Sequence, residues 1–153
     1  MEIRKDDLRD QKITDFLREH FEEIKEIIPS RIFHDLDYYL EALRSPEITF
    51  WSVWEGHELL GCGALKELDS ITGEVKSIRT AKAHQRRGVA SKILEHIIKE
   101  ASLRAYHYLN LATGALPEFA PAQALYIKYG FKYRDPFAEY IDDPNLAFMT
   151  KKL

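Results

Sequence analysis

The chain has 153 residues, of which 45% are apolar and 31% are charged, a composition ordinary for a globular protein. The net charge of −3 argues against a surface built to bind polyanions, and the single cysteine, Cys62, excludes an intrachain disulfide and a cysteine-based zinc site. No apolar run approaches the length of a membrane span, and the first residues are polar. We therefore expect one soluble domain over residues 1–153, cytoplasmic and not attached to a membrane.

The first half of the chain predicts an edge strand, two helices and a hairpin. Residues 1–4 fit a short strand, and apolar residues then recur at helical spacing over residues 7–28, where Pro29 ends the run. A second short helix is predicted over residues 37–43. The apolar period then changes to that of strands, and residues 55–57, Glu-Gly-His, predict a hairpin turn between two of them.

The second half predicts alternating strands and helices. A third strand over residues 74–81 is followed by a helix over residues 88–105 and by a fourth strand over residues 108–112. A short helix over residues 120–130 and a terminal strand over residues 147–153 complete the chain. Because a strand–helix–strand unit is parallel and right-handed, we expect an α/β fold with a mixed, mostly antiparallel central sheet and helices on both faces.

Basic residues precede the helix that is predicted to start at Gly88; they are Lys82, His84, Arg86 and Arg87. The helix dipole disfavours cations there by some tenths of a kcal/mol, unless an anion is bound. The free N–H groups of a first helical turn form an anion site, and Gly88 and the small Ala90 would let a ligand approach the backbone. Residues 85–90 therefore suit a pyrophosphate. On spacing alone, a solvated basic turn before an amphipathic helix is the alternative.

Other phosphate, nucleic-acid and metal motifs are not found. A Walker A loop is absent, and a dinucleotide fingerprint needs three glycines where only Gly88 stands. The acidic total charge and the lack of a basic stripe disfavour a nucleic-acid-binding domain that would use residues 82–87. The six histidines include no His-x-x-x-His pair, so no metal site is predicted.

Two segments together resemble the signatures of the GNAT acetyltransferase superfamily. Gln85, Gly88 and Ala90 match its pattern Gln/Arg-x-x-Gly-x-Gly/Ala, which follows a strand and opens a helix. Residues 124–131, ALYIKYGF, are similar to its second signature, a Leu-Tyr followed by Gly-Phe. The predicted order of strands also agrees, so the resemblance covers nearly the whole chain. Within the superfamily, the sequence is most similar to a bacterial subgroup, the YsnE-like acetyltransferases.

The resemblance implies the acyl-CoA N-acyltransferase fold and acetyl-CoA as co-substrate, with no metal. The loop that would hold the pyrophosphate consists of Gln85, Arg86, Arg87, Gly88, Val89 and Ala90. The pantetheine arm would insert where the third and fourth strands splay apart, bonding to the backbone near Ile78, Arg79 and Thr80. Many members carry Asn where this chain has Phe119, and whether that change weakens cofactor binding stays open.

The resemblance also implies a reaction, the transfer of acetyl from acetyl-CoA to a primary amine by direct attack of the neutral amine. The backbone N–H near Thr80 would stabilise the oxyanion, and Tyr126 would protonate the departing CoA thiolate as general acid. The superfamily has no fixed general base, and Glu74, on the third strand, is the candidate that would act through water. The acceptor stays open between a small amine, an amino acid and a protein terminus or lysine. Glu55 and Glu74 would favour cationic amines.

Several alternatives remain at this stage. On spacing alone Tyr126 also fits a packing role with its hydroxyl at the rim. A catalytically silent acyl-CoA-binding regulator would keep residues 85–90 while Tyr126 proved dispensable. The oligomeric state is open, with a homodimer among the alternatives.

Three further features have predicted roles. Cys62 is expected to be a small buried apolar residue. The carboxylates of Glu22, Glu23 and Glu26 are expected to form a solvated helix face. The aromatic residues in the region that covers the acceptor site in such folds, which either contact substrate or pack, are Phe33, Tyr38 and Tyr39.

Overall fold

A computed structural model describes residues 1–27 and 36–153 of the chain. The predicted helix end at Ile28 and the aromatic candidate Phe33 lie outside the described residues. The elements are, in chain order, β1 (Glu2–Lys5), α1 (Gln11–Ile27), α2 (Leu36–Leu43), β2 (Ile48–Glu55), β3 (Glu58–Glu67), β4 (Thr72–Thr80), α3 (Val89–Leu103), β5 (Tyr108–Gly114), α4 (Ala120–Lys128), β6 (Lys132–Arg134) and β7 (Leu146–Lys152).

The strands form one mixed sheet in the order β1-β2-β3-β4-β5-β7-β6. Strands β4 and β5 pair in parallel, from Thr72 opposite Tyr108 to Val75 opposite Leu111, as their connection through α3 predicts. Strand β7 pairs antiparallel with both β5 and β6. The expected α/β fold is therefore confirmed. Strand β6 was not predicted, because its three residues are all exposed and show no alternation of apolar and polar side chains.

The first helix begins later than its apolar period predicts. The Asp10 carboxylate accepts the Lys12 N–H at 2.8 Å, and the Asp10 carbonyl accepts the Thr14 N–H at 3.1 Å, which caps α1 at Gln11. Upstream, Asp6 Oδ1 accepts the Leu8 N–H at 2.8 Å, and Leu8 has a φ of +63°. Local hydrogen bonds of the aspartates thus replace a helical turn before Gln11.

The chain divides into two compact units, of which the first contains Met1–Ala64 and Ser77–Leu94. Its apolar core is formed by Leu8, Ile13, Leu17, Leu40, Leu43, Phe50, Cys62 and Ala64. Ile13 and Leu17 are four residues apart and face the same side of α1, which explains why the helical period buries both. Cys62 is fully buried, as predicted, and burial raises the pKa of its thiol, so it is no nucleophile.

The second unit contains Leu65–Lys76 and Glu95–Leu153. Three of its aromatic rings form a cluster, with centroids 5.2 Å apart for Phe137 and Tyr140 and 5.9 Å apart for Phe137 and Phe148. At Gly73 a Cβ atom would lie 2.8 Å from the Leu65 Cδ1 atom, so a larger residue would force the Leu65 side chain to shift. The expectation of a single domain over residues 1–153 stays a prediction.

Candidate active site

The backbone of the loop between β4 and α3 turns twice through the left-handed region. Arg86 and Gly88 have φ angles of +65° and +82°, on either side of Arg87 with its ordinary negative φ. Alternating backbone handedness turns successive N–H groups into one concavity, a nest that binds anions. The Gly88 carbonyl accepts the Lys92 N–H at 3.0 Å, so the unpaired N–H groups of the first turn of α3 follow directly on the loop.

Access to this loop is open. Gln85, Arg86, Arg87 and Gly88 are exposed, Ala90 is partly buried, and Val89 is buried. A Cβ built on Gly88 would meet no atom within 4 Å, so the glycine is required by its left-handed backbone and not by crowding within the protein.

Two of the basic side chains in the loop are bonded to the β2–β3 hairpin. His84 Nε2 lies 2.7 Å from Glu58 Oε1, and Arg87 Nη2 lies 3.1 Å from Glu55 Oε2. Arg87 Nη1 also lies 2.8 Å from His84 Nδ1. Because a guanidinium only donates, His84 Nδ1 accepts here, which leaves its Nε2 to donate to Glu58. Carboxylates on both sides of the hairpin turn therefore balance the charge of the loop.

A third carboxylate, that of Glu23 on α1, holds two more cations. Lys82 Nζ lies 2.9 Å from Glu23 Oε1, and Arg79 Nη2 lies 2.6 Å from Glu23 Oε2. The interpretation of Glu23 as part of a solvated helix face is therefore wrong. Within residues 1–27 and 36–153, Arg86 is the basic residue of the loop whose side chain has no ion-pair partner, so its charge is available to a ligand.

The end of β4 that leads into the loop is held from one side by polar contacts. Ser77 has a φ of +57°, which departs from regular strand geometry. Its Oγ lies 3.1 Å from the Tyr39 hydroxyl, and its carbonyl lies 3.2 Å from Cys62 Sγ. A Cβ on Gly61 would lie 2.5 Å from the Arg79 carbonyl, so this glycine allows the close approach of β3. Ile78 and Thr80, on either side of Arg79, are partly buried.

The acceptor-region aromatics differ in environment. Tyr38 is 59% exposed, whereas Tyr39 packs its ring 5.4 Å from that of Phe21. Burial raises the pKa of Tyr39 to about 12. Packing therefore accounts for Tyr39, and Tyr38 remains on the surface.

Tyr126 lies in the second unit, on α4. Its side chain is 8% exposed, and its ring meets Phe131 edge to face at a centroid distance of 5.9 Å. Burial raises the pKa of Tyr126 to about 12, so the hydroxyl stays protonated at neutral pH. Among the described residues no side chain or backbone group bonds to this hydroxyl. A packed ring with an uncommitted O–H is what a proton donor to a bound ligand requires.

Glu74, on the part of β4 in the second unit, is a buried carboxylate that is 2% exposed. The Tyr140 hydroxyl donates to its Oε2 at 2.7 Å, and Lys76 Nζ lies 3.4 Å from the same oxygen. Burial and then the nearby carboxylate raise the pKa of Tyr140. The negative charge that was expected to attract cationic amines is thus already paired with Lys76.

Phe119 occupies the position where many relatives have Asn. A Cβ on Gly114 would lie 2.1 Å from the Phe119 ring, so this ring covers the end of β5. Gln123 Nε2 donates to the Gly114 carbonyl at 2.7 Å, and the Tyr133 hydroxyl donates to Gln123 Oε1 at 2.6 Å. The Gln123 amide therefore bonds to the end of β5, and the Phe119 ring packs over Gly114 without making a hydrogen bond.

Two absences hold for the part of the chain that the structure describes. Its histidine, cysteine and carboxylate side chains form no group of three that could bind a metal ion. None of its helices has both the length and the apolar character that are needed to span a membrane.

Known proteins resemble this chain in sequence and in fold. The sequence model of the acetyltransferase (GNAT) family matches residues 10–131. The chain belongs to the GNAT acetyltransferase family. This acetyltransferase is 52% identical to the N-acetyltransferase YsnE of Bacillus subtilis (strain 168), over 153 residues and the full length of both chains. The expected YsnE-like subgroup is therefore confirmed.

Solved structures share the fold of the acetyltransferase. A crystal structure from Klebsiella pneumoniae subsp. pneumoniae MGH 78578, assigned as an acyl-CoA N-acyltransferase, is 25% identical, with a TM-score of 0.77 over 99% of this chain and 97% of that one. A GNAT family acetyltransferase from Elizabethkingia anophelis, crystallised with acetyl-CoA bound, is 22% identical, with a TM-score of 0.71 over 99% of this chain and 97% of that one.

The predicted site residues fall in both units. Residues 78–80 and 85–90 belong to the first unit, and Glu74 and Tyr126 belong to the second. The sequence did not predict that Glu23, Glu55 and Glu58 are the carboxylate partners of the loop. The one sequence feature that could have indicated this pairing is the pair of acidic residues on either side of the hairpin turn at Gly56. The residues next to them in the chain do not show that they bond to a loop about 30 residues later.

Proposed function

We propose that this acetyltransferase moves the acetyl group of acetyl-CoA to a primary amine. The observation that carries the proposal is the left-handed backbone at Arg86 and Gly88 just before α3, a conformation that supports an anion nest there. Acetyl-CoA bound to the Elizabethkingia relative supports the same co-substrate here.

In this proposal the CoA pyrophosphate binds the backbone N–H groups of residues 85–90. Arg86 supplies a charge that no described carboxylate neutralises, and Arg87 exchanges Glu55 for a phosphate oxygen. The exchange is cheap, because the Arg87 and Glu55 side chains are 42% and 53% exposed and an ion pair at such a surface contributes little. The pantetheine arm bonds to the backbone of β4 near Ile78, Arg79 and Thr80, as a strand added to a sheet edge.

The proposed reaction forms one bond and breaks one. The neutral amine attacks the thioester carbonyl carbon, a C–N bond forms, and the C–S bond breaks as the electron pair returns to sulfur. The backbone N–H near Thr80 stabilises the oxyanion, and the Tyr126 hydroxyl donates its proton to the departing thiolate. The amine proton passes through water to Glu74, whose Oε2 is also bonded to Tyr140 and Lys76, and a proton from solvent restores the Tyr126 hydroxyl after CoA leaves.

Tyr126 is expected to help the departure of CoA without controlling it. Its pKa of about 12 lies above that of an ordinary thiol, near 8.5, so complete proton transfer to the thiolate is uphill. Hydrogen bonding to sulfur in the transition state is the larger contribution, and its loss should cost the low end of the range for general acids, roughly 10²-fold.

The deciding experiment is the release of CoA thiol when the protein, acetyl-CoA and a panel of primary amines are mixed. Thiol release that depends on both amine and enzyme, with the N-acetylated product identified by mass, supports the proposal. If CoA binds by calorimetry while no amine and no protein lysine or N-terminus is acetylated, the transferase proposal fails in favour of an acyl-CoA-binding regulator.

A further inference from the structure

One face of α1 carries Phe16, His20 and Glu23, which are spaced at i, i+4 and i+7. The Arg79 side chain of β4 lies along this face. Its Cζ is 5.8 Å from the centroid of the Phe16 ring, and its Nη2 is 2.6 Å from Glu23 Oε2. His20 stands between these two contact points on the helix, so the imidazole and the guanidinium are neighbours within the first unit.

Three side-chain atoms of this cluster are buried without a hydrogen bond among the described residues: the nitrogens Arg79 Nε and His20 Nδ1, and Glu23 Oε1, which is in ion-pair contact with Lys82. A guanidinium nitrogen can only donate, and a neutral imidazole can donate from either nitrogen, depending on its tautomer. Burial, and then the positive charge of Arg79, lower the pKa of His20 to about 4, which keeps its ring neutral. Buried donors without acceptors are rare in folded proteins, and a ligand oxygen would supply the missing acceptor.

The carboxylates near the cluster leave one donor of Arg79 unused. Arg79 and Lys82 are both ion-paired with Glu23, and the Glu19 carboxylate also helps to raise the pKa of Lys82, but Arg79 Nε has no acceptor among the described residues. Arg79 is 13% exposed at its side chain, and a charge in such a site interacts with a ligand more strongly than one in water.

We infer that this cluster of Arg79, His20 and Lys82 binds the carboxylate of the acceptor, and that the acceptor is an amino acid. The inference rests on the proposed function and names its substrate class. Residue 79 lies in the part of β4 whose backbone is proposed to receive the acetyl-pantetheine arm, so a carboxylate on its side chain keeps the α-amine of the same molecule close to the thioester. The predicted preference for cationic amines has less support, because Glu55 and Glu74 are both paired with cations.

The test compares amino acids with the amines that remain when their carboxylate is removed: L-phenylalanine with phenethylamine, L-lysine with cadaverine, and L-tryptophan with tryptamine. The expected kcat/KM ratio, acid over amine, is about 10 to 100 for the preferred side chain, the range of a charge-assisted hydrogen bond. In Arg79→Lys, which keeps the charge but removes the Nε donor, the ratio should fall towards one. Arg44→Lys, which removes a different guanidinium 2.8 Å from a helical carboxylate, Glu41, should keep the ratio.

Binding provides a readout that does not depend on turnover. Glycine, L-phenylalanine and L-lysine are titrated into the protein with saturating CoA, by calorimetry and by NMR of the His20 ring. A bound carboxylate should raise the pKa of His20, since a nearby anion favours the imidazolium, and the response should be absent in Arg79→Lys. Equal kcat/KM for acids and amines overturns the inference and leaves the transferase proposal standing. If no amine is acetylated, the transferase proposal fails. In that case the inference is still tested by the titration: it is overturned if the His20 ring signals do not change when an amino acid is added.

Discussion

Arg87 of the loop before α3 is bonded to Glu55 of the β2–β3 hairpin, with Nη2 3.1 Å from Oε2. This contact explains how a basic loop is tolerated at the positive end of a helix dipole. The hairpin carboxylate neutralises the arginine across 32 residues of sequence, and the pair stays exposed enough to exchange partners. The loop therefore has a backbone already folded in its left-handed turns, and its Arg87 side chain is ion-paired but can still move to another anion.

Glu55→Gln should tighten CoA binding, because the carboxylate that competes with phosphate for Arg87 is removed. A surface pair of this kind is worth up to about 1 kcal/mol, so the Kd should fall by at most about fivefold. Calorimetry with CoA at low and high salt measures the change, which should shrink as salt increases. Glu41→Gln, at an ion pair with Arg44, is the control. Weaker CoA binding by Glu55→Gln would show that the pair holds the loop in its binding conformation.

Gly88→Ala should impair CoA binding through the backbone. A φ of +82° costs a residue with a Cβ roughly 1–2 kcal/mol, and the same atom would stand where a phosphate is expected. Gly56→Ala, at a φ of +61° in the hairpin turn, imposes similar strain on a glycine that is also free of neighbours within 4 Å. Both variants should lose stability in urea unfolding, while only Gly88→Ala should lose CoA affinity. Equal CoA affinities would remove Gly88 from the site.

Tyr126→Phe should lower kcat roughly 10²-fold with little change in acetyl-CoA affinity, because the ring packing against Phe131 is preserved. Tyr129→Phe, three residues further along, removes a hydroxyl that bonds to Glu95 and serves as the control. Steady-state and single-turnover kinetics decide the matter. An unchanged single-turnover rate in Tyr126→Phe would leave this tyrosine as a packing residue.

Tyr140→Phe should destabilise the protein by about 1–3 kcal/mol, since it removes a donor from the buried Glu74 carboxylate. Tyr133 is 57% exposed, so Tyr133→Phe removes a hydroxyl that water can reach, and the loss of stability should be much smaller. Urea unfolding of the two variants makes the comparison. Similar stabilities would mean that Lys76 alone satisfies the carboxylate.

His20 should make stability depend on pH between about 6.5 and 4. The pKa of the folded form, about 4, lies below the unfolded value near 6.5, so the unfolded chain binds the proton first and stability falls as pH falls through this window. The expected loss from pH 7 to pH 5 is about 2 kcal/mol by linkage. His20→Gln should flatten this part of the profile in urea unfolding, whereas His57→Gln, at the exposed hairpin turn, should not. A steep profile that persists in His20→Gln would assign the dependence to other groups.

Much of the fold could be predicted because its signals are local. The apolar period of residues 13–24 indicates α1, and the Gly56 turn indicates the hairpin, since neighbours in the chain set both. The sequence-based prediction was wrong about the start of α1, which a short-range hydrogen bond sets, and it missed β6, which has no apolar pattern. The Asp10 cap moved the start of α1 to Gln11, and β6 is too short and too exposed to be recognised.

The sequence by itself determined the family, the order of strands and helices, and the glycine at the start of α3 on which the proposed anion site depends. Only the tertiary structure decided which charges are engaged: Glu23 with Arg79 across 56 residues, Glu55 with Arg87 across 32, and Tyr140 with Glu74 across 66. Such pairs depend on the register of strands and on how each helix faces its sheet. A shift of a single residue in a strand would turn every one of its side chains to the opposite face of the sheet. The sequence next to a charged residue therefore does not show which distant residue it pairs with.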